Sequence, residues 1–186
     1  DAPDKDFFGK RYLQIRDFEE YLYYKTRLLN MCGIGLVNKD DKHAPQIIKA
    51  ANCELYTYSE ESKEADFVAS DIRYVSQPDF VGTEFHISGK YDMEVRLGIP
   101  GLFNVVNALA AVSVCSFLGL DQARISHALE NIRVNGRMEI VYTSERCTVL
   151  VDYAHNAVSM ESLLSTLRDY KPKRLVCVFG CGGNRS

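Results

Sequence analysis

An acid and a histidine closely follow the end of an apolar run in the last third of the sequence. The run TVLV, residues 148–151, is followed by Asp152 and His155, and a helix-like spacing of apolar residues begins directly afterwards. In open parallel sheets, ligands bind outside the carboxyl ends of the strands. A carboxylate there could accept two hydrogen bonds from ribose hydroxyls. The same residues allow a structural role, in which Asp152 caps the next turn or helix and His155 lies at the surface.

Two arginines could bind anionic groups. Arg185 lies in the glycine-rich stretch GCGGNRS, which follows the apolar run at 174–180. Glycines let a ligand approach the backbone, and a guanidinium can bind a carboxylate or a phosphate through two parallel hydrogen bonds. Arg137, in NGRME, could meet a phosphate if two domains close on each other. An ordinary surface pair of Arg137 with Glu139 would explain its presence as well.

Two asparagines interrupt an otherwise apolar helical stretch, LFNVVNALAA. A buried amide left without a partner costs about 1–3 kcal/mol, so Asn104 and Asn107 each need one. Either they bond the preceding loop or one of them faces the edge of a purine. The loop is the better partner for Asn104, and both alternatives stay open for Asn107.

Lys25 lies among aromatic and leucine residues in LYYKTRLL. Such a lysine usually extends its ammonium group to water. The alternative is a partly buried lysine with a lowered pKa, whose neutral amine can form a carbamate with CO₂. A carbamate is an anion and could be a ligand of Mg²⁺.

The distribution of apolar and turn residues predicts an α/β fold. Helices are expected over 17–31, 43–51, 102–120, 122–132 and 159–170, strands over 33–37, 53–59, 67–76, 148–154 and 174–180, and a β-hairpin within 81–101 that turns at 88–90. Asp17 should cap the first helix, the helix from 102 should be buried on most sides, and the last two strands should form a buried βαβ unit. The pattern changes near 133–136, which divides the chain into domains 1–134 and 135–186.

Composition excludes several classes of protein. Hydrophobic residues make up 46% of the 186 residues, which suffices for a core, and the net charge of −3 argues against nucleic-acid binding. No apolar run reaches the roughly 18–20 residues of a transmembrane helix, so we expect no membrane insertion. The six scattered cysteines are expected to be reduced core thiols of a cytoplasmic protein. Both ends interrupt a pattern, so we expect a fragment of a longer chain.

Four segments in order, GLFNVVNALAA, NGRMEIV, VDYAHNAVSMESLL and VFGCGGNRS, resemble the Mur ligase family. The resemblance is closest to the branch that adds the third residue of the peptidoglycan stem peptide, and EEYLYYKTRLL and LVNKDD extend it over nearly the whole chain. It implies the second half of a P-loop-type central domain, with a mixed sheet, a hairpin and helices. The start of a Rossmann-like C-terminal domain would follow. The phosphate loop itself is absent.

The resemblance implies an ATP-dependent ligase that joins UDP-N-acetylmuramoyl-dipeptide to a free amino acid, lysine or diaminopimelate, through an acyl phosphate. It implies that Asp152 binds the ribose of ATP, that Arg137 reaches ATP from the hinge, and that Asn107 lies at the adenine, with Asn104 and His155 in the same motifs. No firm role follows for His155. We expect a monomer.

The resemblance also implies a carbamylated Lys25 that helps to hold Mg²⁺, and an Arg185 that contacts the carboxylate of the incoming amino acid. The sequence departs from the family pattern at Lys5, where a metal-binding histidine is usual, and at Asn135, which replaces a proline. These departures leave two alternatives: a paralogue of the folylpolyglutamate or cyanophycin synthetase type, and a non-catalytic nucleotide-binding module.

Overall fold

The computed structural model describes residues 17–77 and 79–180. Its elements, in chain order, are α1 Phe18–Leu29, β1 Ile34–Asn38, α2 Ala44–Ala50, β2 Glu54–Ser59, β3 Phe67–Gln77, β4 Phe80–Gly89, β5 Met93–Leu97, α3 Leu102–Phe117, α4 Gln122–Glu130, β6 Glu139–Thr143, β7 Thr148–Val151 and α5 Ala157–Asp169. Asp17 caps α1 as expected, because its carboxylate accepts the Glu20 N–H at 2.8 Å.

The first five strands form one mixed sheet in the order β1-β2-β3-β4-β5. The β1, β2 and β3 strands run parallel, whereas β4 and β5 add antiparallel to β3. The expected hairpin joins β4 and β5. Its turn contains Gly89 with φ +102°, where an added Cβ would lie 2.3 Å from the carbonyl oxygen of Asp66, so only glycine fits. The mixed sheet and the hairpin are confirmed.

The core lies between this sheet and α3. Val105, Leu109 and Val112, three and four residues apart, are fully buried and pack against Phe67 and Phe85 of the sheet. The opposite face of α3 is solvent-exposed, so the expectation that this helix is buried on most sides is wrong. An apolar composition alone does not show how many faces of a helix are covered; here the sheet covers one.

The β6 and β7 strands form a separate two-stranded antiparallel sheet, followed by α5. The βαβ unit expected here is not completed. Residues 174–180 form no strand, and Val178 and Phe179 are 93% and 73% exposed. The prediction of a buried strand there is wrong in this structure, because a strand needs a neighbour to pair with and β7 pairs only with β6 in the described part of the chain.

The cysteines are less buried than expected. Cys32, Cys53 and Cys115 are half-buried, Cys147 and Cys177 are exposed, and all five are free thiols. Burial of the Cys53 thiol raises its pKa, and a hydrogen bond to Cys32 adds to the shift. The two exposed cysteines follow from the open β6–β7 sheet and from the unpaired segment 174–180, which no second layer covers.

Candidate active site

Asp152 directly follows β7, and its carboxylate links two backbone segments at the expected domain boundary through hydrogen bonds. One carboxylate oxygen accepts the Met138 N–H at 2.8 Å, and the other accepts the Ala154 N–H at 2.7 Å. Asp152 is half-buried. The turn-capping role left open by the sequence is therefore present. A carboxylate oxygen has two lone pairs, so each oxygen can still accept a hydroxyl from a ligand.

The boundary turn that carries Arg137 has an unusual backbone. Gly136 and Met138 have φ values of +67° and +45°, a region that non-glycine residues rarely adopt. Three contacts hold the turn: the Arg137 N–H donates to the carbonyl of Val134 at 3.0 Å, the Gly136 N–H donates to Glu139 at 2.7 Å, and Asp152 accepts from buried Met138. These bonds compensate the strained conformation and present the Arg137 side chain to solvent.

Arg137, Tyr153 and His155 form a stack on one exposed surface. The Arg137 guanidinium carbon lies 5.0 Å from the centre of the Tyr153 ring, and the His155 ring centre lies 5.2 Å from it. His155 Nδ1 is 3.1 Å from the carbonyl oxygen of Tyr153, which fits a donating N–H. An exposed cation–π contact contributes about 0.5–1 kcal/mol, enough to bias the Arg137 side chain toward this position. The structure thus brings Arg137, Asp152 and His155 together.

The loop that carries Asp152 and His155 leads straight into α5. Asn156 caps the helix: its side-chain oxygen accepts the Ser159 N–H at 2.9 Å, while the Ser159 hydroxyl accepts the Asn156 N–H at 3.3 Å and the His155 N–H at 3.2 Å. This reciprocal pair fixes the direction in which the chain leaves the loop. The orientation of α5 therefore determines where the Asp152 loop lies.

The two asparagines of α3 differ in environment. Asn104 donates to the carbonyl of Pro100 at 2.7 Å, which bears out the loop interaction that the sequence favoured. The Asn107 side chain is exposed and has no hydrogen-bond partner among the described residues. It lines an open cleft of about 530 Å³ between α3 and α5, together with Phe103 of α3 and Asp169 of α5. A ligand could therefore reach its amide.

Lys25 does not have the environment expected of a carbamate-forming lysine. It is exposed on α1, and its ammonium nitrogen lies 4.9 Å from the centre of the Tyr21 ring. The hydrogen bond to the Tyr21 side chain raises the pKa of Lys25 instead of lowering it. Of the two alternatives that the sequence left open, the structure shows the exposed lysine, because α1 packs its other face, through Leu22 and Thr26, against the protein.

Two positions singled out in the sequence, Arg185 and Lys5, lie outside the described residues. No described hydrogen bond or ion pair joins Lys25 to the Asp152 loop. Within residues 17–77 and 79–180, no group of three or more histidines, cysteines and carboxylates is arranged to hold a metal ion.

Sequence reasoning missed three residues. Tyr153 could have been noticed, since it stands inside the quoted motif. Glu60 lines the cleft opposite Asn107, and burial, followed by the charge of Asp40, raises its pKa. Tyr170, at the end of α5, reaches the central sheet through its hydroxyl, and nothing local in the sequence signals that contact.

Comparison with models of known protein families identifies the family of this chain. Residues 14–115 match the model of the Mur ligase middle domain, and residues 136–186 match the model described as the Mur ligase, glutamate ligase domain. The chain belongs to the Mur ligase family. The expected fold, a partial central domain followed by the start of the C-terminal domain, is thereby confirmed, as is the resemblance on which it rested.

Among relatives of this Mur ligase chain are two UDP-N-acetylmuramoyl-L-alanyl-D-glutamate--2,6-diaminopimelate ligases. The Clostridium acetobutylicum protein, named ligase 2, is 37% identical over 168 residues, and the Alkaliphilus oremlandii protein is 37% identical over 175. The matches cover 90% and 91% of this chain but 34% of each relative. The chain thus spans about a third of the length of these relatives.

Solved structures agree with the family. A UDP-N-acetylmuramoyl-L-alanyl-D-glutamate--2,6-diaminopimelate ligase superposes with a TM-score of 0.74 at 30% identity, over 95% of this chain and 37% of that one. MurF from Acinetobacter baumannii superposes with a TM-score of 0.69 at 22% identity, over 83% of this chain and 34% of MurF, and shares the fold.

None of the helices in 17–77 and 79–180 combines the length and hydropathy needed to cross a bilayer.

Proposed function

We propose that the full-length protein containing this chain is an ATP-dependent ligase of peptidoglycan synthesis. It would join UDP-N-acetylmuramoyl-L-Ala-D-Glu to the amine of a free amino acid, diaminopimelate or lysine. The observation that carries the proposal is the 37% identity, over 90% of the chain, to a relative whose name states the diaminopimelate reaction. That name favours diaminopimelate over lysine. We further propose that it acts as a cytoplasmic monomer and that nucleic acid is not among its partners.

Three of the described side chains have the chemistry that nucleotide binding requires, which supports the proposal. The exposed amide of Asn107 can pair with a purine edge inside a cleft of about 530 Å³, which is within the usual size of ligand pockets. Asp152 retains lone pairs that can accept ribose hydroxyls. The Arg137 guanidinium is exposed beside the Tyr153 ring and can bind a phosphate. ATP supplies the phosphoryl group that activates the substrate's terminal carboxylate, and the amine then displaces phosphate. The amide of Asn104 already donates to the carbonyl of Pro100, so we propose that Asn104 stabilises the loop before α3.

The fit to Mg²⁺ is poor among the described residues. Lys25 is exposed beside Tyr21, and among the described residues no group of histidines, cysteines and carboxylates is arranged to hold a cation. The proposed part of Lys25 in metal binding therefore depends on groups beyond this chain, and we derive no step from it. Arg185 stays a proposed contact for the carboxylate of the incoming amino acid.

Phosphate release from the full-length protein tests the proposal. The assay contains Mg-ATP and UDP-N-acetylmuramoyl-L-Ala-D-Glu, with diaminopimelate or lysine added in turn. Release that depends on diaminopimelate is the expected result. Release only with a folate or another peptide acceptor would identify a paralogue, and no release with any acceptor from a folded protein that binds ATP would favour a non-catalytic module. The isolated chain, which contains no G-x-x-x-x-G-K-[S/T] loop, should release none.

A pair of arginine variants tests the role given to the stack. Arg137→Ala should lower kcat/KM by about 10²-fold, since it removes a positioned cation from charge that develops on the phosphoryl group. Arg146→Ala is the matched control: Arg146 is exposed, in the β6–β7 turn, and its guanidinium makes no hydrogen bond, ion pair or cation–π contact within the described residues. Equal activity of the two variants would remove Arg137 from the proposed machinery.

A further inference from the structure

The hydroxyl of Tyr170 connects the C-terminal end of α5 to the central sheet through three hydrogen bonds. It donates to the carbonyl oxygen of Gly82 at 2.9 Å, it accepts the Gly101 N–H at 3.3 Å, and it lies 3.1 Å from the hydroxyl oxygen of Thr83. A tyrosine hydroxyl has one proton and two lone pairs. Since its proton goes to Gly82, Thr83 is the donor in the third bond, and the hydroxyl is fully used.

The groups that meet Tyr170 form a socket, defined by Gly82, Thr83 and Gly101. Thr83 is fully buried, and its hydroxyl has no other partner in the described part of the chain. Gly101, with φ +107°, precedes α3, and Tyr170 is the one acceptor of its N–H among the described residues. The last β5 residue, Leu97, pairs with Thr83, so Gly82 lies one position beyond the end of that ladder. Gly82 also pairs with β3. The Thr83 hydroxyl and the Gly101 N–H are therefore the two socket groups for which Tyr170 is the one hydrogen-bond partner among the described residues.

Two further contacts show that the Tyr170 side chain packs against the central sheet and α3. Its ring packs on the Tyr74 ring of β3 with centroids 5.1 Å apart. Thr166, one helical turn earlier on the same face of α5, is buried against the socket: a Cβ added to Gly101 would lie 3.0 Å from the Thr166 methyl carbon. Burial of Tyr170 also raises the pKa of its hydroxyl, which keeps the proton that Gly82 accepts.

The seated end of α5 borders the cleft that contains Asn107. Ser165, Thr166 and Asp169 line that cleft from α5, and Phe103 and Asn107 line it from α3. Thr166 thus both packs at the socket and forms a wall of the cleft. Because α3 begins directly after Gly101, the socket bonds fix α5 next to the first turns of α3. They therefore determine the separation of the two cleft walls.

We propose that Tyr170 is a positioning residue whose hydroxyl, seated in the Gly82–Thr83–Gly101 socket, sets the width of the α3–α5 cleft and so the affinity for the nucleotide. The nucleotide part of this inference rests on the proposed function. The α5 helix, with 13 residues, is about 20 Å long, so fixing its C-terminal end also limits the swing of its other end, which follows the Asp152 loop.

Hydrogen exchange of the Gly101 amide in the full-length protein tests the seating without reference to activity. Tyr170→Phe keeps the ring on Tyr74 but removes the acceptor, so exchange in a peptide spanning Gly101 should rise by about tenfold. Tyr142→Phe is the matched control, because Tyr142 is 57% exposed on β6 and its hydroxyl has no described hydrogen bond. Unchanged exchange in Tyr170→Phe would overturn the proposal.

Kinetics with ATP test the positioning role. Tyr170→Phe should raise the KM for ATP several-fold with kcat nearly unchanged, and Thr83→Val, which alters the socket side, should do the same. Combining the two should add little to Tyr170→Phe, since that variant already removes the Tyr170–Thr83 hydrogen bond. Faster Gly101 exchange with an unchanged KM would refute the positioning role while leaving the contact established. If the wild-type protein shows no ATP-dependent reaction at all, the proposed function fails, and the exchange measurement still decides whether Tyr170 is seated.

Discussion

Replacement of Asp152 by asparagine should release one of the two backbone groups that its carboxylate holds. The carboxylate accepts the Met138 N–H at 2.8 Å with one oxygen and the Ala154 N–H at 2.7 Å with the other. An asparagine side chain has one oxygen and one NH₂ group. Whichever way the amide is turned, a backbone N–H faces a second donor, and that bond is lost.

The size of the effect follows from the charge and exposure of the group. A hydrogen bond to a charged acceptor contributes about 1.5–3 kcal/mol. Asp152 is half-buried, so the lower end, about 1.5 kcal/mol, applies. A difference of about 1.4 kcal/mol is a factor of ten in an equilibrium constant, so local opening at the freed amide should become roughly tenfold more frequent. The strained φ of Met138, +45°, makes that residue the more probable site of opening.

Amide hydrogen exchange of the full-length protein without nucleotide is the appropriate assay. Asp152→Asn should accelerate exchange at Met138 or Ala154, and Asp79→Asn, at an exposed position in the turn before β4, should leave both unchanged. Unaltered exchange at both amides in Asp152→Asn would refute the structural reasoning. A loss of ATP affinity with unaltered exchange would assign Asp152 to the ligand instead of to the turn.

Three further predictions concern the core, pH and Lys25. Leu109→Ala should lower the free energy of unfolding, measured by urea denaturation, by about 2–5 kcal/mol, because it leaves a cavity in the core. Leu118→Ala, at an exposed position, is the control and should change this free energy by less than about 0.5 kcal/mol; similar losses in both variants would contradict the assigned packing. Burial raises the pKa of Glu60 above 4.5, so the folded state holds the proton more tightly and stability due to Glu60 is lost as pH rises through that pKa. In urea titrations at several pH values, the free energy of unfolding of Glu60→Gln should therefore increase relative to that of the wild type from pH 4.5 upward. A difference between the two that does not change with pH would contradict the predicted direction of the pKa shift. Lys25 is exposed and its ammonium lies against the Tyr21 ring, which predicts no CO₂ adduct in this chain, so a ¹³C carbamate signal that disappears in Lys25→Ala would show the opposite.

The sequence by itself determined the local elements and the family. Asp17 caps α1, the hairpin turns around Gly89, and the apolar spacing from 102 onward marks a helix. Each of these signals lies within a few residues of its effect, because helix caps, turns and side-chain periodicity depend on neighbours along the chain. The motifs around Arg137 and Asp152 identified the family for the same reason, since their residues are close in sequence.

Tertiary structure decided which groups have partners. Tyr170 meets Gly101 and Gly82 across separations of 69 and 88 residues, which no local pattern encodes. The apolar run at 174–180 reads as a strand but forms none, because a strand exists only beside another strand. The exposure of Lys25 likewise depends on which face of α1 is covered. Burial and pairing are properties of the assembled chain, so these features could not follow from residue types and spacing alone.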